Sequence, residues 1–397
     1  MFIERKMSET LHVVMGEYPI VTISGPRQSG KTTLAKKCLS DYGYVNLEDP
    51  DSAEFARFDP KGFLRQYPAP LIIDEVQRVP ELMSSLQVAV DGHRDKMGQY
   101  VLTGSHQSLL KEKVSQSLAG RTAILDLLPL SLAELGSIAD GLSADEIMLK
   151  GFMPEIYRQG VEPSRYYRNY LCTYVERDVR MMVNIRNLAA FEKFLRLLAG
   201  RVGQLVNLSQ LSVEVGVTST TLNEWLSILE ASYIVYRLKP YFGNYSKRLV
   251  KTAKLYFTDV GLATHLLGIS TAEQMGRDPL RGSLFENMVV MDAVKQFMNR
   301  DDDAQFYFMR TQTGFEIDLL IESGGRLQPV EIKSAATCRD ALAANLRRFA
   351  KEEALTALPV LVYDGEEYPE RQGVKWVNFR KFMPGGEEPD ESIATRG

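Results

Sequence analysis

The chain is short of cysteine, of long apolar runs and of net charge. Its three cysteines, Cys38, Cys172 and Cys338, lie far apart, so one is unpaired in any intramolecular scheme. They offer no metal-site spacing and suit a reducing cytoplasm. No apolar run is long enough to span a membrane. The opening stretch MFIERKMSETLHVV lacks the apolar core of a secretory signal. The expectation is a cytoplasmic protein with no membrane partner. The net charge is only −4, which excludes a global pull towards nucleic acid and leaves room only for a local patch. Internal repeats and long low-complexity linkers are also missing. What is present fits a folded globular chain, with 45% hydrophobic and 25% charged residues. A length of 397 residues exceeds one ordinary domain and predicts two or three.

To about residue 135, apolar strands alternate with helical stretches, the pattern of an α/β domain. The candidate strands are PIVTIS, GYVNLE, APLIIDEV, GQYVLTG and TAILDLLPL. The pattern then turns mostly helical to about 240, with tyrosine and arginine dense in SRYYRNYLCTYVERDVR. Strands and helices mix again beyond about 250. The tail, 384–397, is polar and rich in Gly and Pro and is expected to be disordered.

The most specific motif is Gly25-Pro26-Arg27-Gln28-Ser29-Gly30-Lys31-Thr32, a full match to G-x-x-x-x-G-K-[ST]. An apolar strand precedes it and a helix, KTTLAKKCL, follows. Glycines let backbone N–H groups curl around phosphates at the start of that helix. Lys31 would reach the β- and γ-phosphates, and the Thr32 hydroxyl would meet Mg²⁺. Thr33 extends this nucleotide-binding run.

Downstream, PLIIDEV ends in Asp74-Glu75, the form of a Walker B strand. Asp74 would hold Mg²⁺, and Glu75 would orient or deprotonate the attacking water. The alternative is a buried strand that merely ends in acids. QYVLTGSHQ places Thr103 and Ser105 where a γ-phosphate sensor would sit; a plain turn is an equal alternative. Arg121, just before another strand, could contact a γ-phosphate in cis or across a subunit interface, or form a surface salt bridge.

The segments GPRQSGKTTL, YVNLED, LIIDEVQRVPEL, LTGSHQSLL and LAGR resemble the AAA+-type domain of a large prokaryotic ATPase family. In that family the P-loop domain is fused to a C-terminal domain of unknown function, of the type numbered 4143. GFMPEIY, YVERDV, KLYFTDVGL, GSLFEN and EIDLL…VEIKS extend the resemblance to about residue 350. It implies ATP binding and hydrolysis with Mg²⁺, and no known physiological role. Rings are common among AAA+ relatives, but no residue here specifies an oligomeric state.

In the middle, LSQLSVEV, Gly216 and STTLNEWLSILEAS read as a helix–turn–helix, and YIVYRLKPY as a following β-wing. The second helix begins with Ser219, Thr220, Thr221, Asn223 and Glu224, without arginine or lysine. Positive charge lies later, in YRLKPYFGNYSKRLVKTAK, so the wing is the better candidate for nucleic-acid contact. The alternative is a winged helix used for domain packing.

In the last section, LRGSLFENMVVMDAVKQF reads as a helix with Glu286 near its start. AQFYFMRTQTGFEIDLLIES gives two strands, the second carrying Asp318. RLQPVEIKS gives a third, with Glu331 and Lys333. Helix Glu, strand Asp, then Glu-x-Lys resembles the PD-(D/E)XK nuclease core. Asp318 and Glu331 would meet across a hairpin and bind a second Mg²⁺. Lys333 would position the water or neutralise the transition state, and Glu286 would complete or orient the metal site. The alternative is a hairpin whose charges form cross-strand salt bridges.

The expected architecture is α/β throughout. Residues 1–140 form an AAA+-type parallel-sheet ATPase domain and 141–270 a helical and winged-helix region. Residues 271–383 form a restriction-endonuclease-like domain. The expected function is an ATPase whose nucleotide state controls a C-terminal module binding DNA, RNA or a protein partner. Two alternatives stand beside it: an ATP-gated metal-dependent nuclease, and a non-enzymatic nucleotide-switched interaction protein.

Overall fold

The computed structural model describes residues 3–93, 95–105, 117–175, 187–242, 250–352, 355 and 357–385. The expected features beyond Ser105 in LTGSHQSLL, ERDVR of the middle section, residues 243–249 of the wing and the tail from 386 lie outside them.

Five short runs form one parallel sheet: β1 (Ile20–Ser24), β2 (Gly43–Asn46), β3 (Leu71–Asp74), β4 (Tyr100–Gly104) and β5 (Thr122–Asp126). The order is β2-β3-β4-β1-β5. Every residue of β1, β3 and β4 is buried, as expected of parallel strands covered on both faces. One face packs on helices α1 (Met7–Met15) and α2 (Lys31–Cys38) through Leu11, Leu34 and Ala35. The other packs on Phe63, Leu82 and Leu86. Ser24 lies beside both Gly104 and Asp126, so the C-terminal strand ends gather at one edge. Ligands of open α/β sheets bind at that edge.

A helical section follows. It includes α3 (Pro163–Tyr170), α4 (Leu208–Val215) and α5 (Ser219–Ala231). Gly216 ends α4 in the left-handed region (φ 84), and the Thr218 side chain accepts from the Thr221 N–H to start α5. Two helices joined by a turn therefore form where these caps predict. Leu222, Trp225, Leu226 and Leu229 face the core. Ser219, Thr220, Asn223 and Glu224 face solvent.

The C-terminal sheet is mixed and has eight strands: β6 (Val235–Pro240), β7 (Lys254–Phe257), β8 (Gln305–Arg310), β9 (Glu316–Ser323), β10 (Arg326–Lys333), β11 (Val360–Tyr363), β12 (Tyr368–Arg371) and β13 (Val374–Asn378). Its order is β12-β13-β11-β10-β9-β8-β6-β7. The run read as a wing, β6, thus belongs to this sheet next to its edge, pairing antiparallel with the edge strand β7 and parallel with β8. Gly324 and Gly325, at φ 55 and 74, turn β9 into β10, a conformation that glycine adopts without strain.

Helix α6 (Arg281–Arg300) packs against β10, β7 and β5, and so joins the two sheets. Its buried Asp292 accepts from the Leu132 N–H at 2.6 Å, and Lys295 Nζ donates to the Leu130 carbonyl at 3.1 Å. Among the described residues, no helix is long and apolar enough to cross a membrane.

Candidate functional site

The loop between β1 and α2 curls because three of its residues take left-handed or otherwise positive φ. These are Gly25 at 149, Gln28 at 61 and Gly30 at 97. Gly25 has no room for a side chain, since a Cβ there would lie 2.1 Å from the Leu127 carbonyl oxygen. Lys31 is folded back over the loop and donates to the carbonyls of Gly25 and Pro26 at 2.9 and 2.8 Å. Ser29 Oγ is buried and has no hydrogen-bond partner.

Below the loop, Thr32 Oγ1 donates to Asp74 at 3.0 and 2.9 Å. The Asp74 carboxylate also accepts from the Tyr44 hydroxyl at 2.9 Å and from Thr103 Oγ1. Glu75, at φ 55, accepts from Ser105 Oγ at 3.4 Å and from Gln77 Nε2. Thr103 and Ser105 thus sit beside the acidic pair. Sequence reading gave no role to Tyr44 or Gln77, although YVNLED and LIIDEVQRVPEL contain them.

A cleft of about 720 Å³ opens over the loop, lined by residues 27–34, Glu48 and Glu75 and, from the helical section, by Arg158, Tyr166, Asn169 and Tyr170. The Tyr166 hydroxyl donates to Gln28 Oε1 at 2.6 Å. Arg5 clamps the loop from the N-terminal segment, donating to the carbonyls of Ser29 at 2.5 Å and Leu128 at 2.7 Å. Glu134 holds its guanidinium at 2.9 Å. No sequence motif marks Arg5.

Arg121 stands elsewhere. Ile20 pairs with Thr122 and Ser24 with Asp126, so Arg121 enters β5 at the end opposite the loop. The separation is roughly 15 Å of strand. Arg121 Nε and Nη2 meet both Asp91 oxygens at 2.8 and 2.9 Å. Of the alternatives the sequence offers for Arg121, this structure shows the salt bridge, with Asp91.

The second cluster lies in the C-terminal sheet. The β9–β10 ladder ends at Leu319 opposite Val330, so Asp318 and Glu331 are the next pair along. Lys333 Nζ touches Asp318 at 3.1 Å and Glu331 at 2.8 Å. The Ile332 N–H also donates to Asp318, at 2.9 Å. Burial and the neighbouring Asp318 push the Glu331 carboxyl up to about 8. Its Oε2 is buried without a partner.

Glu286 does not join this pair. Its Oε1 accepts from Lys254 Nζ at 2.8 Å and from the Tyr256 hydroxyl at 2.6 Å. Lys254 also meets Glu316 at 2.5 Å. Burial opposes the charge on Lys254, but Tyr256 and the carboxylates of Glu286, Asp318 and Glu316 outweigh it and hold the ammonium charged. The sequence grouped Lys254 with a basic wing; its side chain is instead only 2% exposed and faces these acids. Among the described residues, no three His, Cys, Asp or Glu side chains are grouped to hold a metal ion. The residue expected to complete a metal site, Glu286, is engaged here by a lysine and a tyrosine.

The parallel sheet and phosphate-binding loop define the N-terminal part as a P-loop ATPase fold of the AAA type. An AAA domain family model matches residues 17–136. Two domains of unknown function follow, DUF8612 over 142–273 and DUF4143 over 281–382. An uncharacterized protein of Mycobacterium tuberculosis is 30% identical over 371 residues, covering 92% of this chain and 81% of its own. The chain belongs to the same family as that protein. An uncharacterized Haemophilus influenzae protein is 24% identical over 311 residues, covering 70% of this chain and 74% of its own. A solved Walker-type ATPase of Pyrococcus abyssi aligns with 67% of this chain and 96% of its own, at 16% identity and a TM-score of 0.44.

Proposed function

We propose that the chain is an Mg²⁺-dependent ATPase whose nucleotide state controls its C-terminal half. The observation that carries this reading is Thr32 bonded to Asp74 beneath the curled G-x-x-x-x-G-K-T loop, with Glu75 next in sequence. The loop's N–H groups and Lys31 bind the phosphates, and Lys31 exchanges its two loop carbonyls for them. Thr32 and Asp74 are hard oxygen donors that suit Mg²⁺. The ion, when bound, screens charge on the transferring phosphoryl group. Glu75 orients the attacking water and takes its proton, with Ser105 and Thr103 beside the γ-phosphate. The units that work together are 1–140, 141–270 and 271–383. Calorimetry and turnover test the reading together. Lys31→Ala should lose ATP affinity and turnover, while Glu75→Gln should bind ATP without turning it over. Unchanged turnover in Glu75→Gln contradicts the role given to Glu75.

In this reading the C-terminal half binds DNA, RNA or a protein partner. A second reading, ATP-gated cleavage of nucleic acid, draws on the buried, unpartnered Glu331 Oε2 beside Asp318 and Lys333. A metal displacing the Glu331 proton would give that oxygen a partner. Mg²⁺- or Mn²⁺-dependent cleavage lost in Asp318→Ala and Lys333→Ala supports it. Equal cleavage by those variants marks a contaminant.

A further inference from the structure

The base of the loop is held by a residue from outside the N-terminal sheet. Ser24 ends β1, Asp126 ends β5, and the two are register partners. Gly25, next after Ser24, lies against the Leu127 carbonyl, and the Leu127 N–H donates to the Ser24 carbonyl at 2.7 Å. These four residues form the platform from which the loop rises. Tyr233 reaches this platform from the C-terminal end of α5. Its hydroxyl donates to Asp126 Oδ1 at 2.6 Å and lies 2.9 Å from Ser24 Oγ. Burial and Asp126 push that hydroxyl well above its ordinary range, so it stays protonated and remains the donor.

Tyr233 occupies the turn between α5 and β6 at φ 57. A bulky residue keeps that conformation only where its surroundings fix it. Two residues on, β6 begins. Its Tyr236 and Leu238 lie opposite Tyr256 and Lys254 of β7, the pair that holds Glu286. A continuous bonded route therefore runs from Ser24 to the edge of the C-terminal sheet. At the loop end of that route stands Lys31, whose Nζ would have to leave the loop carbonyls to reach a phosphate. Lys31 now bonds the Gly25 carbonyl, next to Ser24, and releases it when it turns to a phosphate.

We infer that Tyr233 is a positioning residue through which occupancy of the P-loop sets the α5–β6 turn and, with it, the β6–β7 edge. This rests on the nucleotide-binding reading above and names how that site is coupled to the rest of the chain. A ligand shifts an equilibrium only by interacting differently with its two states, and the Lys31 exchange supplies that difference.

The test uses the full chain without nucleotide, with Mg·ADP, and with a non-hydrolysable ATP analogue and Mg²⁺. Calorimetry establishes saturation for each variant. Amide hydrogen exchange is then read across Ile234–Pro240 and Lys254–Phe257. In the wild type, the analogue should change exchange there by about fivefold or more, the low end of ordinary coupling. Saturated Tyr233→Phe should lose that response, and Asp126→Asn should weaken it. Asp126→Asn carries the test alone if Tyr233→Phe does not fold. A full response in saturated variants, or a saturated wild type with no response, overturns the inference by itself. A wild type that binds no nucleotide overturns the functional reading and this inference with it.

Discussion

The Thr32 hydroxyl contacts both oxygens of the Asp74 carboxylate, at 3.0 and 2.9 Å. That contact ties the first turn of α2 to the end of β3, and it does so beneath the phosphate loop. It makes the two residues one unit, whose orientation other side chains then set.

Tyr44 is the first of these. Its hydroxyl reaches Asp74 from β2 at 2.9 Å, with Lys36 Nζ 3.2 Å from its ring centre. Tyr44→Phe removes one donor and keeps the ring. Partners of this kind are worth about 10–100-fold in metal affinity or activity. The Mg²⁺ concentration for half-maximal ATP turnover should rise by about tenfold, with little change at saturating Mg²⁺. An unchanged Mg²⁺ titration removes Tyr44 from the account.

Gly25 is a steric requirement. Its neighbour Leu127 O is backbone, 2.1 Å from where a Cβ would sit, so it has little freedom to move aside. Gly25→Ala should therefore displace the loop and abolish nucleotide binding measured by calorimetry. Binding at wild-type affinity would show that the β1–β5 platform yields more readily than its packing suggests.

Arg121 should behave as a surface ion pair. Arg121→Ala leaves Asp91 without its bidentate partner, and partly exposed pairs contribute little to stability. ATP turnover per chain should be unchanged at every protein concentration. A defect that grows as chains associate would place Arg121 at a neighbour's site instead.

Asp292 should make the joint between the sheets sensitive to pH. Burial pushes its carboxyl from 3.8 up to about 6. The folded chain therefore binds this proton more tightly than the unfolded chain. The stability it contributes is complete below about 3.8 and is lost as pH rises through about 6. The slope between those values is at most about 1.4 kcal/mol per pH unit for one proton. Urea midpoints of wild type and Asp292→Asn, compared from pH 4 to 7, should diverge with that sign. Parallel curves would show that Asp292 titrates alike in both states.

Local signals explain what was legible in the sequence. The five N-terminal strands are short apolar runs between helices, and the phosphate loop is contiguous. The helix–turn–helix announces itself through Thr218 and Gly216, and the β9–β10 hairpin through Gly324 and Gly325. Long-range pairing explains what was not. Lys254 meets Glu286 from 32 residues away, and nothing near Lys254 marks it as buried. Tyr233 finds Ser24 across 209 residues and Arg5 finds Leu128 across 123. YIVYRLKPY read as the wing of a helix–turn–helix, because pairing of β6 with β8 is a property of the assembled sheet. Arg121 shared its strand-edge setting with Thr103, and only strand direction separates the two ends.

The most direct measurement is steady-state phosphate release from Mg·ATP by the purified full chain, with Lys31→Ala measured alongside. Wild type should release phosphate well above the variant, and the difference should vanish when Mg²⁺ is chelated. Wild-type release equal to that of Lys31→Ala would contradict the central claim that this loop binds and turns over ATP.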